Sequence, residues 1–264
     1  MKKNILITND DGFESEGLLK LVEAIRSIDD VIVTVVAPAT EKSACGHSLT
    51  LTRPLRFVEV DDNFFRLDDG TPSDCVYLSV YALFNKKPDL VISGINRGSN
   101  MGEDITYSGT ASAAMEGVLQ GIDSFAISQV YNKTPDDIKN YGYSLAAKTA
   151  KDIAIKLLNK EIVLNERSFL NINIPPIKEE LSKGYKITEA GIRLYGNDAH
   201  IHKNPRGETY YWIGVHPLMW ERRGERYMCD LEAVEKNFIS ITPIQLNLTS
   251  YDDMKNLKKL ENEI

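Results

Sequence analysis

The sequence predicts an α/β fold in which a mainly parallel sheet is covered by helices, and three observations at its start carry that prediction. Asn4-Ile5-Leu6-Ile7-Thr8 contains an unbroken apolar run without alternation, the pattern of a strand buried on both faces. Leu18, Leu21, Val22 and Ile25 follow at helical spacing, so roughly Glu16 to Ile28 is an amphipathic helix. Val31 to Ala37 is a second continuous β-branched run, closed by Pro38. Strand, helix, strand is the opening of a parallel doubly wound sheet.

The remaining elements follow in order. A polar segment, Ala39 to Ser48, leads into an alternating stretch from Leu49 to Leu67, interrupted by Pro54 and Asp61-Asp62-Asn63, which predicts a hairpin. Thr71-Pro72-Ser73-Asp74 supplies a cap residue, a proline at the first helical position and an acid three residues after the cap, so a helix should run to about Phe84. Leu90 to Ser93 reads as a short buried strand that gives way to a Gly/Asn-rich loop, Gly94 to Gly102. Ser108-Gly109-Thr110 stands at the start of an Ala/Ser-rich helix, Ala111 to Gly121, whose small side chains suit close packing on a sheet. Ser124 to Gln129 and Phe169 to Ile174 read as strands. Between them Tyr143, Ala146, Ala147, Ala150, Ile153, Ala154 and Leu157 share one helix face. The chain is read as one domain over residues 1–264, with a βα core over 1–176 and a β-rich extension over 177–264. That extension carries strands at Thr209–Ile213 and Phe238–Thr242 and ends in a helix.

Composition narrows the partners. The chain has 264 residues, 42% hydrophobic and 26% charged, with a net charge of −7; this disfavours a nucleic-acid polymer, whose binders need a basic face. No apolar stretch approaches the ~20 residues of a membrane span, and the N-terminal apolar run is too short for a secretion signal. A cytoplasmic protein that does not engage a membrane is expected. Cys45, Cys75 and Cys229 form neither a disulfide framework nor a zinc spacing.

Chemistry gathers where the buried strands end. Asn9-Asp10-Asp11-Gly12 closes the first run, and in open α/β sheets ligands bind at that edge. Two adjacent carboxylates repel unless a cation lies between them. Ser43 lies beyond the second strand and Asn96 after the third. Asp10, Asp11, Ser43 and Asn96 are together an all-oxygen set suited to a hard divalent cation such as Mg2+ or Mn2+. Each residue alone is equally explained by turn chemistry; their arrival from three strand ends favours a site. Ser108, Gly109 and Thr110, at a helix N-terminus, could cradle a phosphate with backbone N–H groups, with Asn96 beside them. A metal next to an anion cradle points to phosphate chemistry by attack of a metal-activated water. No Walker pattern and no Gly-x-Gly-x-x-Gly after the first strand is present. His47 competes evenly between a catalytic and a loop-anchoring role, and Tyr210, Tyr211 and Trp212 suit interface packing better than base stacking.

These stretches also carry a resemblance. Thr8-Asn9-Asp10-Asp11-Gly12, Ala37-Pro38 with Ser43 and His47-Ser48, Gly70-Thr71-Pro72-Ser73-Asp74-Cys75-Val76, Ser93-Gly94-Ile95-Asn96, Tyr107-Ser108-Gly109-Thr110-Ala111, Arg206 to Trp212 and Ser240-Ile241-Thr242-Pro243 resemble successive motifs of the SurE survival-protein family of metal-dependent 5′/3′-nucleotidases. The resemblance implies a Rossmann-like three-layer αβα core and a C-terminal extension exchanged between subunits of a homodimer or homotetramer. It further implies hydrolysis of nucleoside 5′- or 3′-monophosphates. It places one divalent metal per subunit on Asp10, Asp11, Ser43 and Asn96, with Asn9, Asp10 and Asp11 as the catalytic stretch. The rival reading is a non-catalytic metal- and nucleotide-binding regulatory module. Where many relatives read Ala-Pro-Asp-Arg, this chain has Ala37-Pro38-Ala39-Thr40, and Gly224 to Asp230 is longer than the usual pattern before that Asp.

Overall fold

The computed structural model describes residues 2–194, 199–213, 219–222, 224 and 226–262. In chain order the elements are β1 (Lys3–Thr8), α1 (Glu16–Arg26), β2 (Val31–Pro38), β3 (Arg56–Asp61), β4 (Phe64–Asp68), α2 (Pro72–Ala82), β5 (Leu90–Arg97), α3 (Gly109–Leu119), β6 (Ser124–Gln129), α4 (Ser144–Leu158), β7 (Ser168–Ile174), β8 (Tyr185–Ile187), β9 (Ile192–Leu194), β10 (Ala199–Lys203), β11 (Thr209–Ile213), β12 (Met219–Glu221), α5 (Asp230–Glu235), β13 (Ile239–Gln245) and α6 (Tyr251–Leu257).

A nine-stranded sheet runs in the order β3-β4-β2-β1-β5-β6-β7-β13-β8. From β4 to β7 every pairing is parallel. Along β1 successive side chains point to opposite faces. Ile5 and Ile7 join the cluster that α1 and α4 cover through Leu18, Leu21, Ala146 and Ile153, whereas Leu6 joins Val76 and Val80 of α2. Both faces of the strand are therefore dry, which is why its sequence does not alternate. The chain leaves β1 toward β2 on one side, while β5 pairs on the other. This reversal opens the crevice at the carboxyl ends of the strands where α/β proteins place ligands.

The helix signals were specific. α2 opens with both halves of a capping box: Asp74 N–H donates to Thr71 Oγ1 at 3.0 Å, and Thr71 N–H donates to Asp74 Oδ2 at 2.9 Å. Asp74 also accepts from the Thr50 N–H at 2.9 Å and from its hydroxyl at 2.6 Å, so its charge is spent on structure. The predicted hairpin is β3–β4, and it adds to the main sheet through β4.

Two strands depart from the sequence reading. β5 does not stop at Ser93 but continues to Arg97, because its register against β6 jumps between Ser93 and Asn96. The bulge lets buried Ile95 reach the core while Asn96 stays on the ladder; bulges re-aim side chains in this way next to functional sites. The sheet also does not end at β7. β13 pairs antiparallel with β7 and parallel with β8, so residues beyond Pro176 complete the same sheet. Buried Asp230, at the start of α5, ties this late segment to the loop after β5. Its Oδ2 accepts from the Gly102 N–H at 2.8 Å, and its Oδ1 from the N–H groups of Gly191 and Leu231 at 3.0 and 2.9 Å.

β10 and β11 form a separate two-stranded ribbon whose apolar side chains Ile201, Tyr210, Tyr211, Trp212 and Ile213 are all exposed. No helix among the described residues is long and apolar enough to cross a membrane.

Candidate metal and phosphate site

The site begins with the turn after β1. Asn9 is buried, and its Nδ2 donates to the Gly12 carbonyl at 2.9 Å and to Ser15 Oγ at 2.7 Å. Asn9, expected from sequence among the catalytic residues, has its amide nitrogen committed to the turn. Gly12 takes φ +98°, a conformation that glycine reaches without strain. The turn is tied to the segment after β2 by Phe13 N–H donating to Pro38 O at 3.0 Å and Lys42 N–H donating to Asp10 O at 2.7 Å.

Asp10 is buried, and both of its oxygens meet Thr110: Oδ1 accepts from the hydroxyl, and Oδ2 from the backbone N–H at 3.1 Å. Burial pushes its carboxyl up to about 6; the Thr110 hydroxyl pulls the other way and the neighbouring Asp11 charge adds to the rise. Asp11 is only half-buried, with Oδ2 accepting from the Arg97 N–H at 2.9 Å. Burial raises it as well, opposed by that hydrogen bond.

Asp10, Ser43, Asn96 and Ser108 line one cleft of about 310 Å3, together with Arg97, Tyr107, Tyr131 and Arg193. Ser43 is exposed and donates to Glu41 Oε1 at 2.7 Å. Asn96 donates through Nδ2 to the Gly98 carbonyl at 3.0 Å, which leaves its amide oxygen for a ligand. Asp11 instead faces an adjoining cleft of about 540 Å3 lined by Glu14, Glu16, Arg97 and Tyr143. The larger cleft lacks Asp10, Ser43 and Asn96, so three of the four expected metal ligands meet in the smaller one, with Asp11 at the junction of the two.

Fit to a cation can be judged from the donors. Among the described residues no three His, Cys, Asp or Glu side chains gather into a metal site, so a cation here would rest on two carboxylates completed by neutral oxygens. That is hard-cation chemistry, which tolerates hydroxyl, amide and water ligands. Nearby, Asn9 Oδ1 and Ser93 Oγ are buried without a hydrogen-bond partner.

The expected phosphate cradle needs correction. Of the three N–H groups, that of Ser108 donates to Ile105 O at 3.3 Å and that of Thr110 to Asp10. Only Gly109's has no partner among the described residues. A helix N-terminus attracts an anion, and at α3 that anion is the Asp10 side chain. Ser108 caps α3 by accepting from Ala111 N–H at 3.0 Å, while its hydroxyl hydrogen stays available to the cleft. Gly109 packs on the carboxylate: a Cβ there would sit 2.8 Å from Asp10 Cβ and 2.9 Å from Oδ2.

His47 Nε2 lies 2.9 Å from the buried Glu116 carboxylate, which anchors its loop to α3. Arg97, Tyr107, Tyr131, Arg193 and Tyr143 were not expected from sequence to line a site. Arg97 directly follows the Ser93–Asn96 motif and Tyr107 opens the motif that runs to Ala111; Arg193 arrives from a distant segment, where no local signal marks it.

Comparison with known proteins gives a consistent picture. Residues 5–197 match the family described as Survival protein SurE. The chain is 57% identical over 265 residues to the 5′-nucleotidase SurE of Sulfurovum sp. (strain NBC37-1), covering 99% of each chain. It is 58% identical over 256 residues to that of Campylobacter concisus (strain 13826), covering 97% of each. The crystal structure of the SurE protein from Aquifex aeolicus superposes with a TM-score of 0.81 at 42% identity, over 98% of this chain and 99% of that one.

Proposed function

The chain belongs to the Survival protein SurE family, and from that premise we propose that it is a 5′-nucleotidase: a metal-dependent phosphomonoesterase that hydrolyses nucleoside 5′-monophosphates, and 3′-monophosphates by the same chemistry, to nucleoside and phosphate. The observation that carries the reading is the meeting of Asp10, Ser43, Asn96 and Ser108 in one cleft, with Asp11 next in the chain. Asp10, Asp11, Ser43 and Asn96 would hold one Mg2+ or Mn2+ per subunit. When bound, such a cation supplies Lewis acidity toward a phosphoryl oxygen and acidifies a water.

The residues divide the remaining work. Asp10, with both oxygens committed to Thr110, is a fixed ligand and a poor proton carrier. Asp11 gives only one oxygen to Arg97, so its other oxygen is the group placed to take a proton from the attacking water. The Ser108 hydroxyl, the Gly109 N–H and the Asn96 side chain meet the phosphoryl oxygens as charge develops on them. Asn9 acts as a positioning residue for the turn. The β10–β11 ribbon would pack against other subunits of a homodimer or homotetramer, and the protein would work in the cytoplasm.

The test is a phosphate-release screen over nucleoside monophosphates with chelator-treated protein, with and without Mg2+ or Mn2+. Release that depends on added metal is expected. Nucleotide binding without release under any metal would return the chain to the regulatory binding module.

A further inference from the structure

We propose that the larger cleft beside Asp11 receives the nucleoside half of the substrate, with the Tyr143 hydroxyl donating to it and the rim carboxylates accepting from it; this rests on the nucleotidase reading above. The cleft, of about 540 Å3, lies within the ~300–1,000 Å3 of ordinary small-molecule sites. It adjoins the metal cleft, since Arg97 lines both and Asp10 and Asp11 are consecutive. A phosphate held at the smaller site therefore leaves the larger cleft within reach of its ester substituent.

Tyr143 packs its ring into the core between α1 and α4 and also lines this cleft. It is 6% exposed, at the N-cap of α4, and its hydroxyl has no hydrogen-bond partner among the described residues. Tyr141, two residues earlier, donates to the Val130 carbonyl at 2.8 Å. The hydroxyl is not sealed from solvent but opens on the cleft, where a bound ligand can accept from it. The ring is fixed between α1 and α4: a Cβ on Gly17 would lie 3.3 Å from its Cε1. Burial first, then the Asp11 and Glu16 carboxylates, push the phenol far above its usual range. It is therefore a permanent donor.

The charge of the walls decides which end of the substrate enters. Asp11, Glu14, Glu16, Glu41 and Asp136 line the cleft against Arg97 and Lys139, and Lys139 is paired to Asp136 at 3.0 Å. Such walls repel a phosphoryl group and offer acceptors to uncharged donors, namely ribose hydroxyls and base amino groups. A nucleoside carrying a second phosphate at this end should be rejected, giving monophosphates precedence over bisphosphates.

Tyr143→Phe keeps the buried ring and deletes only the donor. The expected result is a roughly tenfold fall in the ratio of kcat/KM for a nucleoside monophosphate to kcat/KM for a simple aryl phosphate, carried mainly by KM, in line with one lost hydrogen bond. Glu14→Gln with Glu16→Gln should raise turnover of a nucleoside 3′,5′-bisphosphate relative to the monophosphate. Unchanged ratios in both variants, with the wild type active on nucleotides, would overturn the subsite alone. No nucleotide turnover by the wild type under any metal would overturn the parent reading and this one with it.

Discussion

The carboxyl edge of the sheet and the β10–β11 ribbon are both built from short segments, yet they are held in opposite ways. At the edge, Asp10 is gripped by the start of α3 and by the segment after β2, so its position is fixed within one chain. Among the described residues the ribbon's strands pair with no strand but each other, and its apolar side chains are exposed on both faces; Trp212 is 66% and Ile213 92% exposed. An isolated two-stranded hairpin is marginal in water, and exposed apolar patches mark contact surfaces. The candidate site is thus positioned within one chain, whereas the ribbon presents an apolar surface open to contact.

The largest effect should come from Asp10→Asn, which ought to remove metal-dependent turnover by more than the ten- to hundredfold typical of outer-sphere changes while leaving the sheet folded. Near-wild-type activity at limiting metal would show that Asp10 is not a ligand. Gly109→Ala sharpens the contrast. Because its Cβ would press on Asp10 itself, metal affinity and phosphate inhibition should fall together; calorimetric titration showing metal affinity intact would separate Gly109 from the carboxylate. On the ribbon, Ile213→Lys should leave single-subunit activity measurable but weaken self-association. Loss of a buried Ile is worth about 1.5–3 kcal/mol, so the dissociation constant should rise more than tenfold. Light scattering that finds the same assembly at all concentrations would break the comparison.

The smallest effect concerns pH. The folded pKa of Asp10 is raised from 3.8 to about 6, so without metal the folded state holds this proton more tightly than the unfolded chain does. The corresponding stability is fully present below 3.8 and lost as pH rises through about 6. Metal must displace that proton, so activity at limiting metal should drop as pH falls through about 6 and recover with excess metal. Thr110→Val removes a hydrogen bond that favours the charged form and should move this midpoint upward by roughly one unit. A midpoint unmoved by the substitution would detach Thr110 from the titration of Asp10.

Much of this architecture was legible because it is encoded locally. The β1–α1–β2 opening, the Thr71–Asp74 capping box and the α3 start at Ser108 each depend on residues within a few positions. What stayed hidden depends on pairing at a distance. Gly94 and the polar residues after it read as loop, but contact with β6 keeps them on the ladder as a bulge. The Thr110 N–H looked free because nothing in its own segment reveals that Asp10 arrives from a hundred residues away. Tyr143 read simply as one position on an apolar helix face, and only the meeting of α1 with α4 shows its hydroxyl facing a cleft.

The place of β13 has a consequence for how the chain is made. β7 ends at Ile174 and its neighbour β13 begins at Ile239, so while the chain is being synthesised one edge of β7 waits for its partner across the whole intervening segment. Non-local pairings of this kind slow folding, and an open strand edge is a template for association with another chain. That edge of β7 is therefore open to association with other chains until Ile239–Gln245 has been made and paired with it.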